Sequence, residues 1–108
     1  MTSETQVLHW HVIGELADFI EGQPVRRVID GHEIAIFRVD DNLYALGDRC
    51  THGDASLSEG WVEDGCVECP LHQAKFNLAT GAVERRPAKV PVRAYPIRSE
   101  GDVVSVGI

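Results

Sequence analysis

Cys50-Thr51-His52-Gly53-Asp54-Ala55-Ser56-Leu57 and, with sixteen residues between His52 and it, Cys69-Pro70-Leu71-His72 decide how this chain is read. Each half holds one thiol and one imidazole at very short spacing. Two of the three cysteines and two of the five histidines fall in these pairs. Thiolate is a soft donor suited to zinc, Cu(I) and iron–sulfur iron, and imidazole suits zinc, copper, iron and nickel. Zinc sites of the two-Cys, two-His kind usually group their cysteines together and their histidines together. Here each loop mixes the two. That arrangement suits a binuclear cluster whose irons take different ligands, both cysteines on one and both histidines on the other. A single structural zinc ion held by all four side chains is the alternative that the residues leave open.

The four residues resemble the Rieske iron–sulfur motif, in which two histidines replace two cysteines on one iron of a [2Fe–2S] cluster. With Val67-Glu68 before Cys69, the chain most resembles the small Rieske ferredoxins of bacterial aromatic-ring dioxygenase systems. The similarity continues through Phe76, Thr80-Gly81 and Pro87-Ala88. The resemblance implies an all-β Rieske fold: one domain over residues 1–108, with a β-sandwich or barrel base (1–46 and 83–108). A small cluster-binding subdomain, roughly residues 47–82, is inserted into it. It implies one [2Fe–2S] cluster per chain, with Cys50 and Cys69 on one iron and His52 and His72 on the other. The imidazoles would sit at the surface and let the electron out.

The implied role is a one-electron carrier, not an enzyme. Its partners would be a flavin-dependent NAD(P)H ferredoxin reductase and a terminal Rieske oxygenase acting in aromatic compound catabolism. Two other readings stand beside it: the Rieske-like small subunit of an assimilatory nitrite reductase, and a zinc-stabilised binding module without redox function. Relatives of higher potential carry an extra cysteine in each loop and donate Ser and Tyr hydroxyls to the cluster. Ala55, Leu71, Ala74 and Phe76 stand at the matching positions. Fewer donors leave the reduced charge less stabilised, so the resemblance implies a midpoint of roughly −150 mV. Pro87 resembles a loop that screens the cluster in that family, and Gln73 and Lys75 fall on its expected rim.

The bulk numbers agree. At 108 residues the chain makes one domain, and 44% apolar residues is ordinary for a folded protein. No apolar run reaches membrane-span length, and Met1-Thr2-Ser3-Glu4 does not open a signal peptide. The expectation is a cytoplasmic monomer. Cys66 remains once the paired cysteines are set aside, and it reads as a small buried strand residue. The net charge of −7 disfavours nucleic acid. Residues 1–64 hold thirteen acids and four bases, whereas residues 65–108 hold four acids and six bases. Between Asp48 and Glu68 lie six acids (Asp48, Asp54, Glu59, Glu63, Asp64, Glu68) and one base, Arg49. They read as an acidic surface that steers the carrier to basic partners. No remaining ligand set builds a mononuclear 2-His-1-carboxylate iron site, and no nucleophile–base pairing or phosphate loop stands out.

Along the chain, Val7–Ile13 alternates as a half-buried strand, with Leu8, Trp10 and Val12 on one face and solvated His9 and His11 on the other. Gly14–Phe19 reads as a short helix or turn. Asp30-Gly31, Asp40-Asp41-Asn42 and Asp64-Gly65 mark hairpin turns between Val25–Ile29, Glu33–Val39, Asn42–Leu46, Trp61–Glu63 and Cys66–Glu68. His32 reads as an exposed turn residue. Val90–Arg98 alternates as a returning strand, and Gly101 turns the chain into Asp102–Val106. Many short strands at regular spacing indicate an all-β sandwich or barrel.

Overall fold

Ile34-Ala35-Ile36-Phe37 is an unbroken apolar run, the pattern of a strand covered on both faces. The computed structural model describes residues 8–51, 53–71 and 73–108. In it the run forms the centre of β3 (His32–Val39), and no member is more than 1% exposed. Ile34 and Ile36 point into one core with Ile13, Phe19, Ala45, Val104 and Val106. Ala35 and Phe37 point into a second with Leu46, Leu57, Val67 and Phe76.

β3 thus lies in the middle of three antiparallel sheets. The chain supplies β1 (Trp10–Glu15), β2 (Val25–Ile29), β3, β4 (Asn42–Gly47), β5 (Trp61–Glu63), β6 (Cys66–Glu68), β7 (Lys75–Asn77), β8 (Val83–Arg85), β9 (Ala94–Tyr95), β10 (Ile97–Glu100) and β11 (Val103–Gly107). The middle sheet has the order β2-β3-β4-β9. On one side lies β1-β11-β10, and on the other β5-β6-β7-β8. Two 3₁₀ turns, Leu16–Asp18 and Leu57–Glu59, complete the regular structure. The expected all-β class holds. No helix among the described residues is long and apolar enough to cross a membrane.

The three Asp-led turns form as their sequence dictates. Asp30 and Gly31, Asp40 and Asp41, and Asp64 and Gly65 all take positive φ, which matches a two-residue hairpin to the strand twist. The sheet β5–β8 runs on to Arg85, past residue 82 where the inserted part was expected to end.

Three local expectations are corrected. In β1 the alternation is present, but the Leu8, Trp10 and Val12 face is the exposed one, with Val12 at 70%. The alternation turns Ile13 into the core, a bulge lies between Val12 and Gly14, and His11 lies half-buried, 3.5 Å from the Asp30 carboxylate. Val90–Arg98 is not one strand. Pro96 lacks the N–H a ladder needs and separates β9 from β10. Val92 joins the core of the third sheet, Tyr95 the opposite core, and Val90 stays exposed. His32 opens β3 half-buried, its Nδ1 3.2 Å from the Tyr95 hydroxyl.

Because both faces of β3 are core, Ile36→Ala is expected to cost about 2–5 kcal/mol and Phe37→Ala about 3–5 kcal/mol in urea unfolding. A neutral result at either would mean a strand covered on one side alone.

Candidate metal centre

The two cysteine-bearing loops are built alike. The first lies between β4 and β5 and the second between β6 and β7. In the first, the Cys50 N–H donates to the carbonyl of Ala55 (2.9 Å). In the second, the Cys69 N–H donates to the carbonyl of Ala74 (2.7 Å). Each loop is thus pinched by a hydrogen bond spanning the same number of residues. Gly53 of the first loop touches Leu71 of the second, since a Cβ at Gly53 would fall 2.7 Å from Leu71 Cδ2. Below them, a Cβ at Gly60 would fall 2.1 Å from the Glu68 carbonyl oxygen, so only glycine allows this approach.

This geometry buries both thiols in one core, Cys50 at 2% exposure and Cys69 at 0%. They belong to the same buried cluster and form no disulfide. The Leu71 N–H donates to Cys69 Sγ at 3.4 Å. Burial pushes the Cys69 thiol up to about 11; the Cys50 thiol pushes the same way and the Leu71 N–H opposes it. A buried Cys69 thiol that resists ionising, with a second buried cysteine in the same core, is suited to a cation that makes thiolates of both. The donor set therefore fits a soft metal group.

His52 and His72 lie outside the described residues. Among the described residues, no three His, Cys, Asp or Glu side chains gather as for one metal ion. Ala74 and Phe76 are fully buried beside the cysteines and offer no side-chain donor. Ala55 and Leu71 are half-buried and provide no thiol to link the loops. Beyond Pro87, Ala88 is buried in the cysteine core, and the Thr51 hydroxyl donates to the Val90 carbonyl, so this segment packs against the first loop. Gln73 takes a positive φ, and its carbonyl accepts from Arg85. Cys66 is half-buried on β6, not fully buried as expected. Burial raises its pKa, with Glu84 and Asp64 acting in the same direction and Lys75 opposing.

The expected acidic surface is smaller than its sequence. Asp48 is fully buried. Its Oδ1 accepts from the Ser58 N–H (2.8 Å), and its Oδ2 lies 3.3 Å from Arg26 Nε as an ion contact without hydrogen-bond geometry. Its backbone donates to the Glu33 carbonyl and accepts from the Leu57 N–H. Asp48 is thus a strut that ties the first loop to β3. The signal was present, because the period of two from buried Leu46 aims Asp48 inward. Asp54 pairs with Arg49, and Glu68 with Arg85 at 3.7 Å. Among the described residues, Glu59, Glu63 and Asp64 form no ion pair; Glu63 ends β5, and Glu59 and Asp64 flank that strand in the chain.

An all-β chain with two matched loops around a buried thiol pair defines a small metalloprotein of the iron–sulfur kind. Residues 9–96 match the family model described as the Rieske [2Fe-2S] domain. The anthranilate 1,2-dioxygenase ferredoxin subunit of Burkholderia cepacia is 47% identical over 106 residues, 98% of each chain. A solved complex of reduced oxygenase and oxidized ferredoxin in carbazole 1,9a-dioxygenase contains a chain of TM-score 0.83 and 34% identity; the match covers 89% of this chain and 99% of that one. A structure described as an NADH-dependent nitrite reductase small subunit from Mycobacterium tuberculosis has TM-score 0.88 and 27% identity, covering 95% and 97%. This chain belongs to the Rieske [2Fe–2S] domain family. Its cofactor is a Rieske-type [2Fe–2S] cluster, and it is an electron-transfer component, not an enzyme.

Two outcomes follow. Asp48→Ala is expected to cost about 1–3 kcal/mol in thermal unfolding, because it strands the Ser58 N–H. Arg26→Ala leaves the buried Asp48 carboxylate without its cation and is expected to cost at least as much. For Cys69 the folded value lies above the unfolded 9.0, so the stability it contributes is complete below pH 9 and is lost as pH rises toward about 11. Melting of iron-stripped protein is expected to show this loss, and Cys69→Ala to reduce it.

Proposed function

We propose that this chain is a one-electron shuttle of an aromatic-ring dioxygenase system. It takes electrons from a flavin-dependent NAD(P)H ferredoxin reductase and delivers them to a terminal Rieske oxygenase. In this reading Cys50 and Cys69 hold one iron, and His52 and His72 hold the other. The cluster supplies a site that gains and releases one electron. The chain supplies the rest. The Cys50–Ala55 and Cys69–Ala74 hydrogen bonds fix the two loops. The Leu71 N–H aims at Cys69 sulfur, where it favours negative charge. Ala74 and Phe76 exclude water from the cysteine side without donating to it.

The observation that carries this reading is the buried, adjacent pair of Cys50 and Cys69 at the same point of two matched loops. We place the cluster-binding part from about residue 47 through the third sheet, inserted between the strands of the base. The protein acts as a cytoplasmic monomer. A partner oxygenase is supported by the relative crystallised with one. The nitrite-reductase reading draws on shape, at 27% identity against 47% for the dioxygenase ferredoxin subunit.

Dithionite-reduced protein is expected to give an EPR signal and a midpoint near roughly −150 mV. It is also expected to restore turnover to purified ring-hydroxylase reductase and oxygenase components. A colourless zinc protein, or a midpoint above zero, would refute the reading.

A further inference from the structure

β5 is the edge strand of the third sheet. Val62 packs on the cysteine core, so Trp61 and Glu63 face outward. Trp61 is 61% exposed. Trp10, at the other end of the molecule, is covered by the Arg98 guanidinium at 4.1 Å, whereas no such cation lies over Trp61 among the described residues. Exposed Glu59, Glu63 and Asp64 lie within three residues of it along the chain, and Glu63 shares its strand face. In register opposite Trp61 stands Glu68, the residue before Cys69. The indole therefore sits one strand from the backbone that carries a cluster cysteine.

We propose that Trp61 anchors a docking site for a protein partner whose surface offers an apolar socket ringed by Lys and Arg. This rests on the shuttle reading and assigns it a contact face. Tryptophan is the side chain most suited to such an anchor, because one rigid ring buries a large apolar area. The three carboxylates select a basic ring and speed the encounter. They also argue against other occupants. A second copy would set three carboxylates against three, and an anionic membrane would repel the same ring. Strand addition is blocked as well, since β5 has three residues and charged neighbours. Across the same sheet, β8 ends at Arg85, which pairs with Glu68, and exposed Arg86 and Lys89 follow it in the chain.

The test measures electron transfer from purified ring-hydroxylase reductase to its oxygenase as a function of this protein's concentration and of salt. Trp61→Ala is expected to raise the KM for this protein about tenfold or more with kcat and the EPR signal unchanged. Trp61→Phe is expected to recover part of that loss, and Trp10→Ala to have no effect. The triple variant Glu59→Gln, Glu63→Gln, Asp64→Asn is expected to flatten the rise of KM with salt. If the wild type transfers electrons and both Trp61→Ala and the triple variant match it at every salt concentration, the docking site is wrong while the shuttle stands. A wild-type dimer that Trp61→Ala dissociates also overturns it, by assigning the face to a second copy. A cluster-loaded wild type that transfers to neither component removes the shuttle reading and this site together.

Discussion

Everything in the upper part of this molecule serves the burial of two sulfur atoms side by side. Burial alone keeps such thiols protonated, and bringing a second thiol close raises the cost of ionising the first. The pair becomes favourable only as thiolates on a shared cation. The surroundings are arranged for that state. Each cysteine N–H is spent closing its own loop, the Leu71 N–H is left to point at sulfur, Gly60 lets two backbones meet, and Gly53 makes room for the Leu71 side chain.

The rest of the fold makes that arrangement rigid. Strands β5 to β8 have three residues each, too few to hold a sheet alone. They gain their stability by packing on Ala35, Phe37 and Leu46 of the middle sheet, whose other face is packed on β1, β10 and β11. Asp48 adds a polar tie from the first loop to β2 and β3. The cysteine-bearing end thus rests on a base with its own core.

Much of this was legible in the sequence, for identifiable reasons. The Asp-led turns announced themselves because few residues tolerate paired positive φ angles, and those turns set the hairpins. Cys50 and Cys69 stood out because their chemistry is rare at such spacing; the structure brings them together, while His52 and His72 fall outside the described residues. What failed was the direction of side chains. In β1 apolar character suggested that Leu8, Trp10 and Val12 were the inward face, whereas the alternation turns His11 and Ile13 inward. Asp48 was counted as surface because charge suggests exposure, although its register pointed inward. His32 was read as a turn residue because the partner it needs, Tyr95, lies far along the chain.

The central claim is that two unlike irons share these loops, one bound through sulfur and the other through nitrogen. Pulsed EPR of the reduced protein, with ¹⁵N placed in histidine alone, tests this most directly. The account predicts coupling of the electron spin to two histidine nitrogens. A cluster signal without histidine nitrogen coupling would contradict it.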